Sequence, residues 1–75
     1  MTNNEFMQHI NEQFIGELLD TRTMRHVEWY ATQVAREHWT GVHSVSAEID
    51  GAHSIRLNLT FNNEQDYMWW KLKYE

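Results

Sequence analysis

Gly41-Val42-His43-Ser44-Val45-Ser46-Ala47-Glu48-Ile49-Asp50-Gly51 is the stretch where the chain changes its period. Before Gly41, apolar residues recur every three or four positions, as on one face of a helix. After it, Val45, Ala47 and Ile49 alternate with Ser44, Ser46, Glu48 and Asp50. That is the two-residue period of a strand with one buried face. The alternation resumes beyond Gly51. His53, Ile55, Leu57, Leu59 and Phe61 are separated by Ser54, Arg56, Asn58 and Thr60. Two such runs around Asp50-Gly51 predict an antiparallel β-hairpin. A two-residue loop would mix the two faces. A three-residue loop, Asp50 to Ala52, pairs Ile49 with His53, Ala47 with Ile55 and Val45 with Leu57, and keeps the apolar side together.

Upstream, two helices are expected. The first is capped by Asn4 and runs to about Leu19, with Phe6, Met7, Ile10, Phe14 and Leu18 on its apolar face and Ile15 and Leu19 widening it. Gly16 lies inside it and marks close approach of the second helix. The second covers Thr23 to Trp39, is capped by Thr23 and ends at Gly41. Its core face is Met24, Val27, Ala31, Val34, Ala35 and His38. Downstream, Asn63 followed by Asp66 predicts a helix cap. That favours a short C-terminal helix over a third strand built from the alternating Met68, Trp70, Leu72 and Tyr74. The fold class is therefore α+β, one domain over residues 1–75: a helical hairpin on one face of a two-stranded antiparallel sheet, closed by a C-terminal helix.

Composition narrows the function. The chain has 75 residues, no cysteine and a net charge of -5. Disulfides and thiolate metal sites are excluded. The acidic balance disfavours general affinity for nucleic acid. No stretch reaches the ~20 apolar residues of a membrane span. The first residues, Met1-Thr2-Asn3-Asn4-Glu5, lack the basic start and apolar run of an export signal, so a cytoplasmic location is expected. Four tryptophans in a chain this short are hard for a monomer to cover, which leads us to expect a homo-oligomer or a partner.

Catalytic signals are absent: no glycine-rich phosphate loop, no nucleophile elbow, no obviously paired carboxylates. His38 and His43 flank Gly41 with Glu37 nearby, but their spacing matches no recognised metal motif. A non-enzymatic protein with no cofactor and no metal is expected.

The outward side of the second helix is more informative. At ~100° per residue, Trp29 points away from the core face and shares its stripe with Arg22, Arg25, Gln33 and Arg36. Three of the six basic residues of an acidic chain lie there. Trp and Arg are the residue types most enriched in binding hot spots. Arg25, four residues before Trp29, is placed to hold the indole. Arg22, Arg25, Trp29 and Arg36 are the expected contact surface, with Trp69 or Trp70 contributing. Neighbouring side chains diverge, so one of Trp69 and Trp70 enters the core and the other stays outside. The expected function is binding of another protein or of a second copy. The alternatives are nucleic-acid binding by arginine–phosphate pairs with base stacking on Trp29, and a structural subunit of a larger assembly.

The run Phe61-Asn62-Asn63-Glu64-Gln65-Asp66-Tyr67-Met68-Trp69-Trp70-Lys71-Leu72-Lys73-Tyr74 resembles the ending of many small tailed-phage proteins. These close with a strand, an acidic turn and an aromatic-leucine-aromatic tail. The resemblance implies a phage-encoded accessory protein that acts in the host cytoplasm as an inhibitor or modulator of a host protein. It assigns no functional residue.

Overall fold

The computed structural model describes residues 1–51 and 54–75. Its elements run α1 (Asn3–Gln13), α2 (Thr21–His38), β1 (Val42–Asp50), β2 (Ser54–Phe61) and α3 (Glu64–Tyr74). The strands form one antiparallel two-stranded sheet. The class is α+β, with α1 and α2 on the sheet and α3 as the C-terminal helix.

Each helix starts on a side-chain cap that takes an otherwise orphaned N–H. Thr2 caps α1 and forms a reciprocal capping box with Glu5. Asp20 caps α2 by accepting from the Thr23 N–H at 2.8 Å. Asn63 caps α3 by accepting from the Asp66 N–H at 2.9 Å. The first two differ from the expected caps, Asn4 and Thr23. Thr2-x-x-Glu5 offers two reciprocal bonds where Asn4 offers one. The Asp20 carboxylate accepts the Thr23 N–H, so α2 begins two residues early.

The larger correction concerns the end of α1, which stops at Gln13 rather than near Leu19. Phe14 caps it and is the last α1-side residue in the core. Gly16 then takes φ +85, a left-handed conformation that turns the chain toward α2. Gly16 is thus not a close-approach residue: a Cβ there would meet nothing within 4 Å. Gly41 is. It takes φ +90, and a Cβ on it would fall 2.6 Å from the Asp66 side chain. Its carbonyl also accepts from Asn62 N–H at 2.8 Å, tying the start of β1 to the end of β2.

The hairpin keeps the expected faces but shifts by two residues. Ile49 pairs with Ile55, Ala47 with Leu57 and Val45 with Leu59. A two-residue slip preserves side-chain parity, so both registers bury the same side. The observed one sets Glu48 opposite Arg56, with Arg56 also 3.2 Å from Asp50, and opposite charges across strands are favourable. β1 ends at Asp50 and β2 begins at Ser54. The expectations placed on Ala52 and His53 lie outside the described residues. A register irregularity between Val42 and Ser44 inserts His43 as an extra residue, so that Val42 and Val45, three apart, both face the helices.

The core comprises Phe6, Ile10 and Phe14 of the α1 side, Val27, Ala31, Ala35 and Trp39 of the α2 side, Val42, Val45, Ile55 and Leu57 of the sheet, and Trp70 of α3. Met24 and Val34 pack at its margin as expected; His38 does not, and is exposed. Trp70 lies edge-on to Trp39 at 5.4 Å and against Phe61 at 5.5 Å, closing the Trp39 end of the layer. The Trp39 indole N–H donates to the Met1 carbonyl at 3.2 Å, while the buried Trp70 N–H has no protein acceptor.

A sheet of two strands has two open edges, and polar helix side chains occupy both. Along β1, Val45 N–H donates to Thr32 Oγ1 at 3.0 Å and Ala47 N–H to Glu28 Oε2 at 2.8 Å. On β2, the Asn11 amide pairs with both backbone groups of one residue, Ile55. Ile55 N–H donates to Asn11 Oδ1 at 2.9 Å, and Asn11 Nδ2 donates to Ile55 O at 3.1 Å. The helices thus supply part of what a third and fourth strand would.

Two predictions follow from these contacts. Asn11→Ala leaves the edge groups of Ile55 unpaired in a partly buried setting, so urea unfolding should show a loss of about 1–3 kcal/mol. The Asp20 carboxyl is held below its ordinary 3.8, first by the Thr23 backbone N–H and then by the Thr23 hydroxyl. A lowered carboxyl stabilises the fold above its unfolded value and loses that contribution as pH falls through the folded one. Melting temperature should therefore drop on acidification below about pH 4. Asp20→Asn keeps an acceptor without titrating and should flatten this acid limb.

Candidate functional site

The bonds from Glu28 and Thr32 to the β1 edge fix the rotation of α2 about its axis. One residue on from Glu28, and so ~100° around the helix, Trp29 is turned outward. It is 60% exposed, whereas Trp39 is 3% exposed and Trp70 6%. Among the described residues no side chain encloses the Trp29 ring, as the helical phase requires.

The residue that holds the indole is His26, not Arg25. The two rings stack at 5.9 Å with 20° between planes. His26 in turn lies edge-on to buried Phe14 at 5.7 Å, and Phe14 contacts Tyr30 at 5.8 Å. A chain of rings therefore runs from the core to the surface, so Trp29 is presented on a supported platform. Among the described residues the only cation over a ring is Lys71 above Tyr67. Arg25 is thus not spent on Trp29. The i, i+3 spacing of His26 and Trp29 was visible in the sequence, but Arg25 at i, i+4 was the more obvious neighbour.

Among the described residues none of the guanidinium groups on this face is in an ion pair, although Glu17 lines the groove beside Arg22 and Asp20, Glu28 and Glu48 line that beside Arg25. Among the described residues the only ion pair is Arg56 with Asp50. Asp20 at the start of α2 and Glu28 within it are engaged at the helix cap and the sheet edge, while Glu37, next to Arg36, is exposed. Arg22, Arg25 and Arg36 are all exposed. Arg22 and His26 border a groove of about 230 Å³ with Phe14, Glu17 and Thr23. Arg25 borders another, of about 520 Å³, with Leu19, Met24 and Ile49. Arg36 stands two turns beyond Trp29, ~10 Å along the axis. The cluster is therefore densest between Arg22 and Trp29.

The expected contribution of the C-terminal pair divides. Trp70 is in the core and unavailable for contact. Trp69 is 58% exposed, in a cleft of about 240 Å³ whose walls include His38, Trp39 and Lys73. Trp39 lies ten residues beyond Trp29, ~15 Å along α2, so Trp69 and Trp29 belong to separate surfaces.

Two apolar surfaces escaped the sequence reading. Ile15 and Leu18 are 83% and 78% exposed, in the turn that replaces the expected end of α1. With Leu19, Ile49 and Ile55 they line an open groove of about 590 Å³. On α3, Met68 and Leu72 stand outside with Trp69. Their i, i+4 spacing signals one helix face, but Trp70 at i+2 from Met68 made an alternating pattern equally visible.

Among the described residues no three His, Asp or Glu side chains converge on a point where a metal could bind. His38 and His43 are both exposed. No described helix is long and apolar enough to cross a membrane. Comparison with family models, curated proteins and solved structures gives no match.

The exposed ring and the buried ring should respond differently to truncation. Trp29→Ala should shift unfolding free energy by no more than about 0.5 kcal/mol. Trp39→Ala, in the core, should cost about 3–5 kcal/mol by the same urea titration.

Proposed function

We propose that this chain is a non-enzymatic protein-binding module whose contact surface is the outward face of α2. The observation that carries this reading is the supported, exposed Trp29 ring beside exposed guanidinium groups, none of them in an ion pair among the described residues. A rigid indole supplies contact area with little ordering cost. Unpaired arginines beside it fit carboxylates, which they bind in a bidentate manner. The partner is therefore a protein that offers an acidic segment with an apolar side chain to cover the indole. Arg22, Arg25 and Trp29 form the centre of the site, and Arg36 extends it. In the setting that the C-terminal resemblance implies, the partner is a host protein and binding modulates it.

The same groups suit phosphate, so nucleic acid is the competing ligand. The overall charge of -5 works against it, because binding to a polyanion draws on the whole surface field.

Capture from the cell that makes the protein, with Trp29→Ala and Arg25→Glu as controls, tests the reading. A protein partner should be recovered by the wild type and lost with either variant. In direct titration Trp29→Ala should weaken it by about 2 kcal/mol, roughly thirtyfold. A partner retained by both variants contradicts the reading. So does low-salt binding of DNA or RNA that Trp29→Ala abolishes.

A further inference from the structure

α3 is apolar on two sides. Trp70 and Tyr74 turn inward onto Trp39. On the opposite side Met68, Trp69 and Leu72 are 52%, 58% and 79% exposed. A helix with two apolar sides has a second one to bury, yet among the described residues no other element covers it. Taking ~200 Å² as the full area of a large apolar side chain, these three leave roughly 400 Å² open. That equals the largest apolar patches found on monomers, which are often functional.

The charges on α3 say what covers it. Glu64 and Asp66 lie in its first turn, Lys71 and Lys73 in its last. At ~100° per residue, Glu64 and Lys71 fall on the same flank of the Met68–Leu72 stripe, about 20° apart. In an antiparallel pair of identical helices, like flanks meet. Glu64 of each copy then comes beside Lys71 of the other, and the helix dipoles oppose favourably. A parallel pair brings opposite flanks together and would set Glu64 toward Asp66 and Lys71 toward Lys73, like charge against like. The helix is thus complementary to itself in one orientation only. The area agrees as well. A stable specific interface buries about 800 Å² per partner, a little over half of it apolar. The open apolar area of α3 supplies that apolar share, and its flanking charges supply the polar rim.

We infer that the outer face of α3 is the contact with a second copy of this chain: a twofold dimer in which antiparallel α3 helices pack Met68 and Trp69 across the twofold and each Leu72 against the first turn of the other helix, flanked by Glu64–Lys71 pairs. The inference does not depend on the α2 face, which stays open in such a dimer. A closed twofold contact of this kind uses one patch on both subunits and leaves no free end to propagate.

Sedimentation equilibrium on the full chain tests it. The wild type should sediment at twice its 9.1 kDa mass. Leu72→Asp and Met68→Asp should each give the monomer, with helix content by circular dichroism unchanged. Glu64→Lys alone and Lys71→Glu alone should each weaken the dimer at least tenfold, and the two together should restore it. This charge exchange keeps the test independent of any effect of the aspartates on folding. Trp29→Ala should leave the dimer intact. A wild type that is monomeric at millimolar concentration overturns the inference. A dimer that survives Leu72→Asp, or that Trp29→Ala dissociates, overturns it too. So does failure of the double charge exchange to restore association.

Discussion

Two strands make a sheet with no interior strand. Each carries an outward row of N–H and C=O groups and only one neighbour, which is marginal in water. Here the helices supply what is missing. Glu28 and Thr32 of α2 reach the β1 edge, and Asn11 of α1 closes on Ile55 of β2. These bonds sit beside the apolar layer formed by Phe6, Ile10, Val27, Ala31, Val45 and Leu57. Packing brings the helices onto the sheet, and the edge bonds set how they are rotated. With no disulfide and no metal-ligating cysteine, the chain relies on that combination.

The rotation has functional consequences. With Glu28 and Thr32 facing β1, Ala31 and Ala35 meet the core and Trp29 and the arginines face outward. His26, stacked on Trp29 and backed by Phe14, links the outer ring to the inner ones. At the far end, Trp70 fills the space between Trp39 and Phe61 and leaves Trp69, Met68 and Leu72 outside. One side of α2 and one side of α3 are thereby presented as distinct surfaces, the first basic and aromatic, the second apolar with charges of both signs.

Much of this was legible in the chain. The change of period at Gly41, the strand parity, the phase of α2 and the cap at Asn63 are local signals, and local signals suffice for element type and for which way Trp29 points. The misplaced features depend on long-range contacts. Ile15 and Leu18 extend the apolar stripe of α1 on paper; nothing local says that Gly16 turns the chain before they reach the core. The hairpin register lies two residues from the expected one because parity is blind to such a slip. Asn11, Glu28 and Thr32 look like ordinary solvent-facing polar residues. Their role appears only when β1 and β2 arrive, up to 44 positions later. His26 was overlooked for a similar reason: its value lies in Phe14, which belongs to the other helix.

The constraint on which the rest depends is measurable residue by residue. Native-state amide hydrogen exchange, read by NMR, reports whether Val45, Ala47 and Ile55 are bonded, although their N–H groups point away from the partner strand. Bonding to the helix side chains predicts protection comparable to that of the inter-strand amides of Ser46 and Asn58. Exchange at the rate of unprotected loop amides would contradict it, and with it the fixed rotation of α2 that turns Trp29 outward.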